Sequence, residues 1–304
     1  MFATKSVADD LATAPLKGRS LWADARARFF HNRAAVTGLI VLIAVACFAI
    51  MGPFIAPWNN EDIDWNVLGN VQTGGRPSLE TGHWFGTDAL GRDLFARTVQ
   101  GTQISLLVGI VGALISVIVG TLYGAVAGYF GGRIDNVMMR VVDVLMSIPY
   151  MFVLILLLVV FGRSLFMLFV GIGLVSWLDM ARIARGQTLT LKGKAYIEAA
   201  RATGVRPFTI ILRHIIPNLL GVVIVYATLL VPSMIIYESF ISFLGLGVQE
   251  PLTSWGALIN DGAAEMTNGT LWMLTWPLLF FVITLFGFFF VGDGLRDALD
   301  PKDR

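Results

Sequence analysis

The stretch VLMSIPYMFVLILLLVVFGRSLFMLFVGIGLVSWL, residues 144–178, carries a single charge, Arg163, in thirty-five positions. A lipid hydrocarbon core takes about 17–25 apolar residues per helix. The stretch is too long for one ordinary span and just long enough for two joined by a tight turn. That choice sets the side of the membrane on which everything after it lies. Read as a hairpin, it yields a third span over 137–162 and a fourth over 164–180. Four further apolar runs complete an all-α membrane protein of six spans: 34–53, 102–128, 219–244 and 271–292.

Charge placement tests the hairpin independently. With six spans, residues 1–33, the 128–143 connection, the 181–218 loop and the 293–304 tail share one side. Eighteen of the 22 Lys and Arg residues fall on that side. The other side holds Arg76, Arg92, Arg97 and Arg163. Such a bias places both termini in the cytoplasm. Merging the third and fourth spans would put the most basic loop outside.

Composition agrees. Of 304 residues, 56% are hydrophobic and 14% charged, against roughly 25% charged in a soluble domain. Mean hydropathy is +0.74. A net charge of +1 gives no field to recruit nucleic acid. Cys47 is the single cysteine, so no internal disulfide forms. The 33 mostly polar residues before the first span argue against a cleaved signal. Leu21, Trp22, Ala25 and Phe29 recur at helical spacing among Arg26, Arg28 and Arg33. This pattern suits an interfacial helix, with a solvated basic tail as the alternative.

Two loops carry structure. The outer loop 54–101 holds Trp58, Trp65 and Trp84 and is long enough to pack over the membrane face. Near its end, Asp88/Arg92 and Asp93/Arg97 are spaced as i,i+4 helix pairs, with Thr87 or Asp88 as the expected cap. The inner loop reads Ala195-Tyr-Ile-Glu-Ala-Ala-Arg-Ala-Thr-Gly204-Val-Arg-Pro207. Ala195 to Thr203 favours helix, Gly204 suits a left-handed cap, and Pro207 suits the first turn of a second helix. Pro217 is expected to end that helix before span five. Ile197, Ala200, Val205 and Phe208 would then present an apolar knob among basic residues. A docking partner is one reading of that knob; contact with anionic headgroups is the other.

No phosphate-binding Gly-x-x-x-x-Gly-Lys-[Ser/Thr] loop, zinc motif or nucleophile elbow occurs. Catalytic, cofactor and metal sites are therefore expected to be none. Glu238, with Ser239 and Ser242 beside it, is the one acid well inside a span. A buried carboxylate is costly, so it faces either a solute path or a neighbouring helix.

Four ordered motifs carry a family resemblance. Glu198-Ala-Ala200, Gly204 and His214-Ile-Ile-Pro217-Asn218 resemble the EAA loop of ABC importer permeases. Gly86-Thr-Asp-Ala-Leu-Gly-Arg-Asp93 with Arg97, Glu238-Ser-Phe-Ile-Ser-Phe-Leu-Gly-Leu-Gly247, and Ser254-Trp-Gly256 resemble the dipeptide, oligopeptide and nickel branch, in its "C-type" permeases. Ala96 and Glu250 depart from the usual residues. The resemblance implies the type I importer permease fold and half of a translocation pore. It implies a homologous second permease, two ATP-binding cassette subunits, an extracytoplasmic solute-binding protein and the bacterial inner membrane with its lipids. ATP hydrolysis would belong to the partners. Coupling would fall on Tyr196, Glu198, Ala199, Ala200, Arg201, Gly204, Val205, Pro207, His214 and Pro217. The solute path would pass Glu238, Ser239 and Ser242. Peptides are the expected solutes; nickel chelates and glutathione are alternatives. A membrane scaffold or sensor using the same loop, and an ion-coupled carrier, are the rival classes.

Overall fold

The computed structural model describes residues 21–299, and regular structure there is helical apart from two isolated bridges. Residues 1–20 and 300–304 of the expected terminal segments lie outside it, as do the side chains of Leu21 and Trp22.

Helix α1 (Leu21–His31) turns at Asn32 into α2 (Arg33–Ile55). The Asn32 side chain accepts from the amides of Ala34 and Ala35 at 3.0 and 3.2 Å, which starts α2 cleanly. Ala25 and Phe29 of α1 are buried against residues of the last helix, Val291 and Ala298. The amphipathic face of α1 thus packs on protein.

The outer segment contains the short α3 (Val71–Gly74) and then α4 (Leu94–Phe130). Asp93 caps α4 through the Ala96 amide at 2.8 Å. The expected caps, Thr87 and Asp88, lie in the preceding turn instead. Asp88 folds that turn by accepting from the Leu90 and Arg92 amides, both at 2.9 Å.

The third expected span is not one straight helix. α5 (Gly132–Met146) and α6 (Tyr150–Phe161) meet at 77° across Ser147, Ile148 and Pro149. Pro149 has no amide hydrogen and its ring collides with the carbonyl four residues back, so the helix restarts there. The region expected as a 128–143 connection is largely α5. Gly162, at φ +96, and Ser164 then make a tight turn into α7 (Leu165–Lys192). The 144–178 stretch does fold back on itself, with Leu154 and Leu158 packed against Leu168 and Ile172.

Next come α8 (Ala195–Ala202), α9 (Pro207–Ile210), a π-helical turn (Ile211–Ile215) and α10 (Ile216–Phe243). Pro217 does not stop the second helix. The π turn precedes it, the Ile216 amide reaches back five residues to Ile211, and the helix runs on. A wider turn before a proline accommodates its missing donor. α11 (Trp255–Ala264) and α12 (Trp272–Leu299) complete the fold.

Five helical runs are long and apolar enough to cross a membrane: α2, α4, α7, α9 through α10, and α12. The bent α5–α6 pair makes a sixth if counted as one broken span. The centre of the bundle is α4 against α7. Gly120, Gly124 and Gly128 line one face of α4, and a Cβ at Gly124 would fall on the Ala181 carbonyl. Small residues let the two backbones meet without a hydrophobic driving force in lipid.

Candidate functional site

The inner loop is anchored before it is exposed. Ile197, Ile210, Ile211 and Ile215 are buried with Ala125, Tyr129, Met180 and Leu219. Ile197, expected on an outward knob, points into the bundle and fixes α8 to α4, α7 and α10. An eight-residue helix with one fully buried side chain has its orientation set by that side chain. Ala200 and Val205 also lean on this cluster.

The end of α8 is a two-bond cap. Gly204 has φ +77; its amide donates to Arg201, and the Val205 amide donates to Ala200 at 3.1 Å. A side chain at that φ costs roughly 1 kcal/mol. Nothing lies within 4 Å of a Cβ at Gly204, so crowding adds no further penalty. Pro207 then starts α9 at its first turn.

The rest of the loop is a surface. Tyr196 is 44% and Phe208 63% exposed, and Glu198, Ala199, Arg201 and Pro207 are exposed around them. Arg201 lies over the Tyr129 ring at 5.5 Å rather than pairing with Glu198. Among the described residues Glu198 has no ion pair. His214 is half-buried and its carbonyl accepts from Asn218 at 2.6 Å; Pro217 is exposed.

Glu238 is fully buried. Its carboxylate accepts from Ser105 at 2.9 Å, Ser239 at 3.2 Å and Ser242 at 2.6 Å. The Trp255 amide donates to Ser105, the Trp255 indole to Thr102, and the Val248 amide to Ser242. Gly256 lets α11 sit directly on the Ser239 backbone. The carboxylate therefore knots α10, α4 and the 244–255 segment together. In this conformation its oxygens face Ser105 of α4 and Ser239 and Ser242 of its own helix.

A second polar knot lies outside the spans. Arg97, 1% exposed, pairs with Asp88 at 3.3 Å and Glu250 at 3.2 Å, and approaches Asp261 at 3.9 Å. Arg92 joins Asp88 at 2.7 Å and Glu250 at 2.8 Å. The Asp88/Arg92 pair forms as spaced, but outside a helix. The Asp93/Arg97 pair does not form, because Asp93 is taken by its cap and by His83 at 2.9 Å. Burial pushes the Asp93 carboxyl up, against the pull of the Ala96 amide and His83. Burial also pushes on Glu250, but Arg92 and Arg97 outweigh it and hold that carboxyl below its usual range. In the sequence Glu250 stands out only as a departure from the motif; its partners lie more than 150 residues away. Among the described residues no three His, Cys, Asp or Glu side chains stand close enough to hold a metal.

The long apolar helices and the anchored inner loop with an exposed outer face fit a permease subunit of an ABC importer. The sequence comparisons make the assignment particular. The chain belongs to the binding-protein-dependent transport system inner membrane component family, whose profile matches residues 120–304. The N-terminal TM domain of oligopeptide transport permease C matches residues 20–70. Oligopeptide transport system permease protein OppC of Haemophilus influenzae is 54% identical, covering 99% of this chain and 94% of that protein. The protein of the same name from Escherichia coli is 57% identical over 95% of this chain and 94% of its own length. The solved inward facing MetNI methionine ABC transporter has a chain that shares the fold, with TM-score 0.54 and 19% identity. The match covers 66% of this chain and 95% of that one.

Proposed function

We propose that this chain is one half of the pore of an oligopeptide importer in the bacterial cytoplasmic membrane. A homologous second permease supplies the other half. Two ATP-binding cassette subunits hydrolyse ATP, and a solute-binding protein delivers cargo outside. The names of the similar proteins support the cargo class. The charge bias supports six crossings with both termini inside, the bent α5–α6 pair counting as one crossing. The spans then fall within 34–53, 102–128, 137–162, 164–180, 219–244 and 271–292, with 54–101 and 245–270 outside.

The observation that carries the reading is the 193–215 loop. Its apolar anchors face inward while Tyr196, Glu198, Ala199 and Phe208 are left outside on a rigid base. In this reading α8 docks in a cleft of the ATPase. Ile197 passes the load into the cluster of α4, α7 and α10, so ATPase closure moves helices of the pore. Glu198 and Arg201 offer charges to the partner, and Gly204 sets the heading of α9.

Reconstitution tests it. The chain, its partner permease, ATPases and binding protein are placed in liposomes and screened for peptide-stimulated ATP hydrolysis and uptake. Uptake of methionine or nickel chelates with none of peptides sinks the cargo assignment. For topology, Leu79→Cys should react with an impermeant thiol reagent from outside and Lys194→Cys only from inside, both in a Cys47→Ser background. Reversed labelling sinks the six-crossing arrangement.

A further inference from the structure

A cleft of about 230 Å³ opens at the 147–149 break, walled by α7 and α10. Asp179 of α7 is the only charged side chain that lines it. Around it stand Tyr150, Ser176, Ser233 and Tyr237. The rings of Tyr150 and Tyr237 lie 4.4 Å apart. Asp179 and Tyr237 line the same cleft from facing helices. The buried Tyr150 hydroxyl has no hydrogen bond of proper geometry, although Ser176 lies beside it.

Asp179 differs from Glu238 in having no structural employment. It is exposed on this chain and forms no ion pair among the described residues. Arg182, one turn further along α7, is committed to Asp143 at 2.6 Å. Arg185 is committed to Asp135 by a bidentate pair. An acid at the inner end of a span that lines a cleft with four other polar side chains and lacks a cation is arranged to receive one. An aromatic face beside it adds to the attraction for an ammonium group. The walls of the cleft are also the two helices that the inner loop joins, so a push on α8 acts on this site directly.

We propose that Asp179 is a specificity-determining residue that takes the α-ammonium group of a passing peptide, with Tyr237 beside it. This rests on the peptide reading above. This site lies at the α5–α6 break, on a cleft that Tyr237, the neighbour of Glu238 in α10, also lines.

The test uses the assembled transporter in proteoliposomes with trialanine as probe. Asp179→Asn should lower trialanine uptake about tenfold, the scale of one lost hydrogen-bonded charge. Subunit stoichiometry and binding-protein-stimulated ATP hydrolysis should stay at wild-type level. In a Cys47→Ser background, Asp179→Cys should lose uptake likewise. It should regain uptake with sulfonatoethyl methanethiosulfonate and not with the trimethylammonium reagent. Wild-type uptake by Asp179→Asn, or equal response to the two reagents, overturns the proposal. Loss of the second permease from the complex also overturns it, since the carboxylate then serves an ion pair between subunits. A wild type that imports no trialanine overturns the peptide reading and this proposal with it; the other outcomes strike Asp179 alone.

Discussion

The outer knot around Arg97 and the inner loop around α8 are both rich in charge, and they treat it oppositely. Outside, Arg92, Arg97, Asp88 and Glu250 are matched to one another at 2.7 to 3.3 Å. Inside, Glu198 pairs with nothing among the described residues, and the charged side chains of α8 stand exposed. Charges that are satisfied within a chain hold that chain together. Charges set on a rigid base and left unmatched are available to another molecule. The outer region is thus a clamp, and the inner one is arranged as the docking piece proposed above.

The largest effect should come from breaking the clamp. Arg97→Ala leaves Asp88, 3% exposed, with Arg92 as its one remaining ion-pair partner. Removing one member of a buried ion network costs about 3–5 kcal/mol. The variant should show a sharply lower melting temperature in detergent and poor yield. A melt within a degree or two of wild type would mean the network is ornamental.

Next in size are changes to the inner loop, which should leave stability nearly intact and remove function. Gly204→Asp strains the cap by roughly 1 kcal/mol. Phe208→Asp puts a charge on the exposed apolar patch. Each should remove much of an interface hot spot worth about 2 kcal/mol or more. Pull-down should lose the ATPases while the second permease stays bound. If both variants keep the ATPases and import solute, the inner loop is not a docking element and the comparison collapses.

Glu238→Gln should fall below these. The amide has one accepting oxygen where the carboxylate has two, so one of the three serine hydroxyls loses its acceptor. The expected loss is about 1–2 kcal/mol, read as earlier melting with assembly unchanged.

Glu250→Gln should be smallest and should depend on pH. Its side chain is 59% exposed, so solvent screens the pair and the loss stays under about 1 kcal/mol. The folded-state value of this carboxyl is depressed. Its contribution is therefore present above the unfolded value and lost as pH falls through the folded one. Melting temperatures of wild type and variant should differ near neutrality and converge in acid, below the ordinary range of a glutamate carboxyl. A gap that persists in acid would show that shape rather than charge holds Glu250.

Local features are legible in the sequence, and relations across the chain are not. The Gly204 cap and Pro207 start follow from residue type and neighbours alone. The 144–178 turn follows from length. Pro149 does not announce its break, because Pro53, Pro232 and Pro277 all sit inside continuous helices. Whether a membrane proline kinks or divides a helix depends on the groups packed beside it. The direction of Ile197 is equally hidden, since eight residues give too few turns for a periodic stripe. Asp93 is spaced for Arg97 but answers to a helix end and to His83. The distant partners, Glu250 for Arg97 and Ser105 for Glu238, are brought in only by folding.

The π turn at 211–215 has a geometric consequence. In an α-helix each residue advances the chain by about 100° of azimuth. The added residue in that turn therefore sets the compass bearing of everything before it relative to α10. Deleting one exposed residue there, such as Leu212, would wind a regular helix and swing Phe208 and α8 through about a quarter of a revolution. Inserting a whole turn would keep that bearing but displace Ile197 about 5.4 Å from the cluster that anchors it. The inner loop is thus held to one length as well as one bearing, as a gear is to one tooth.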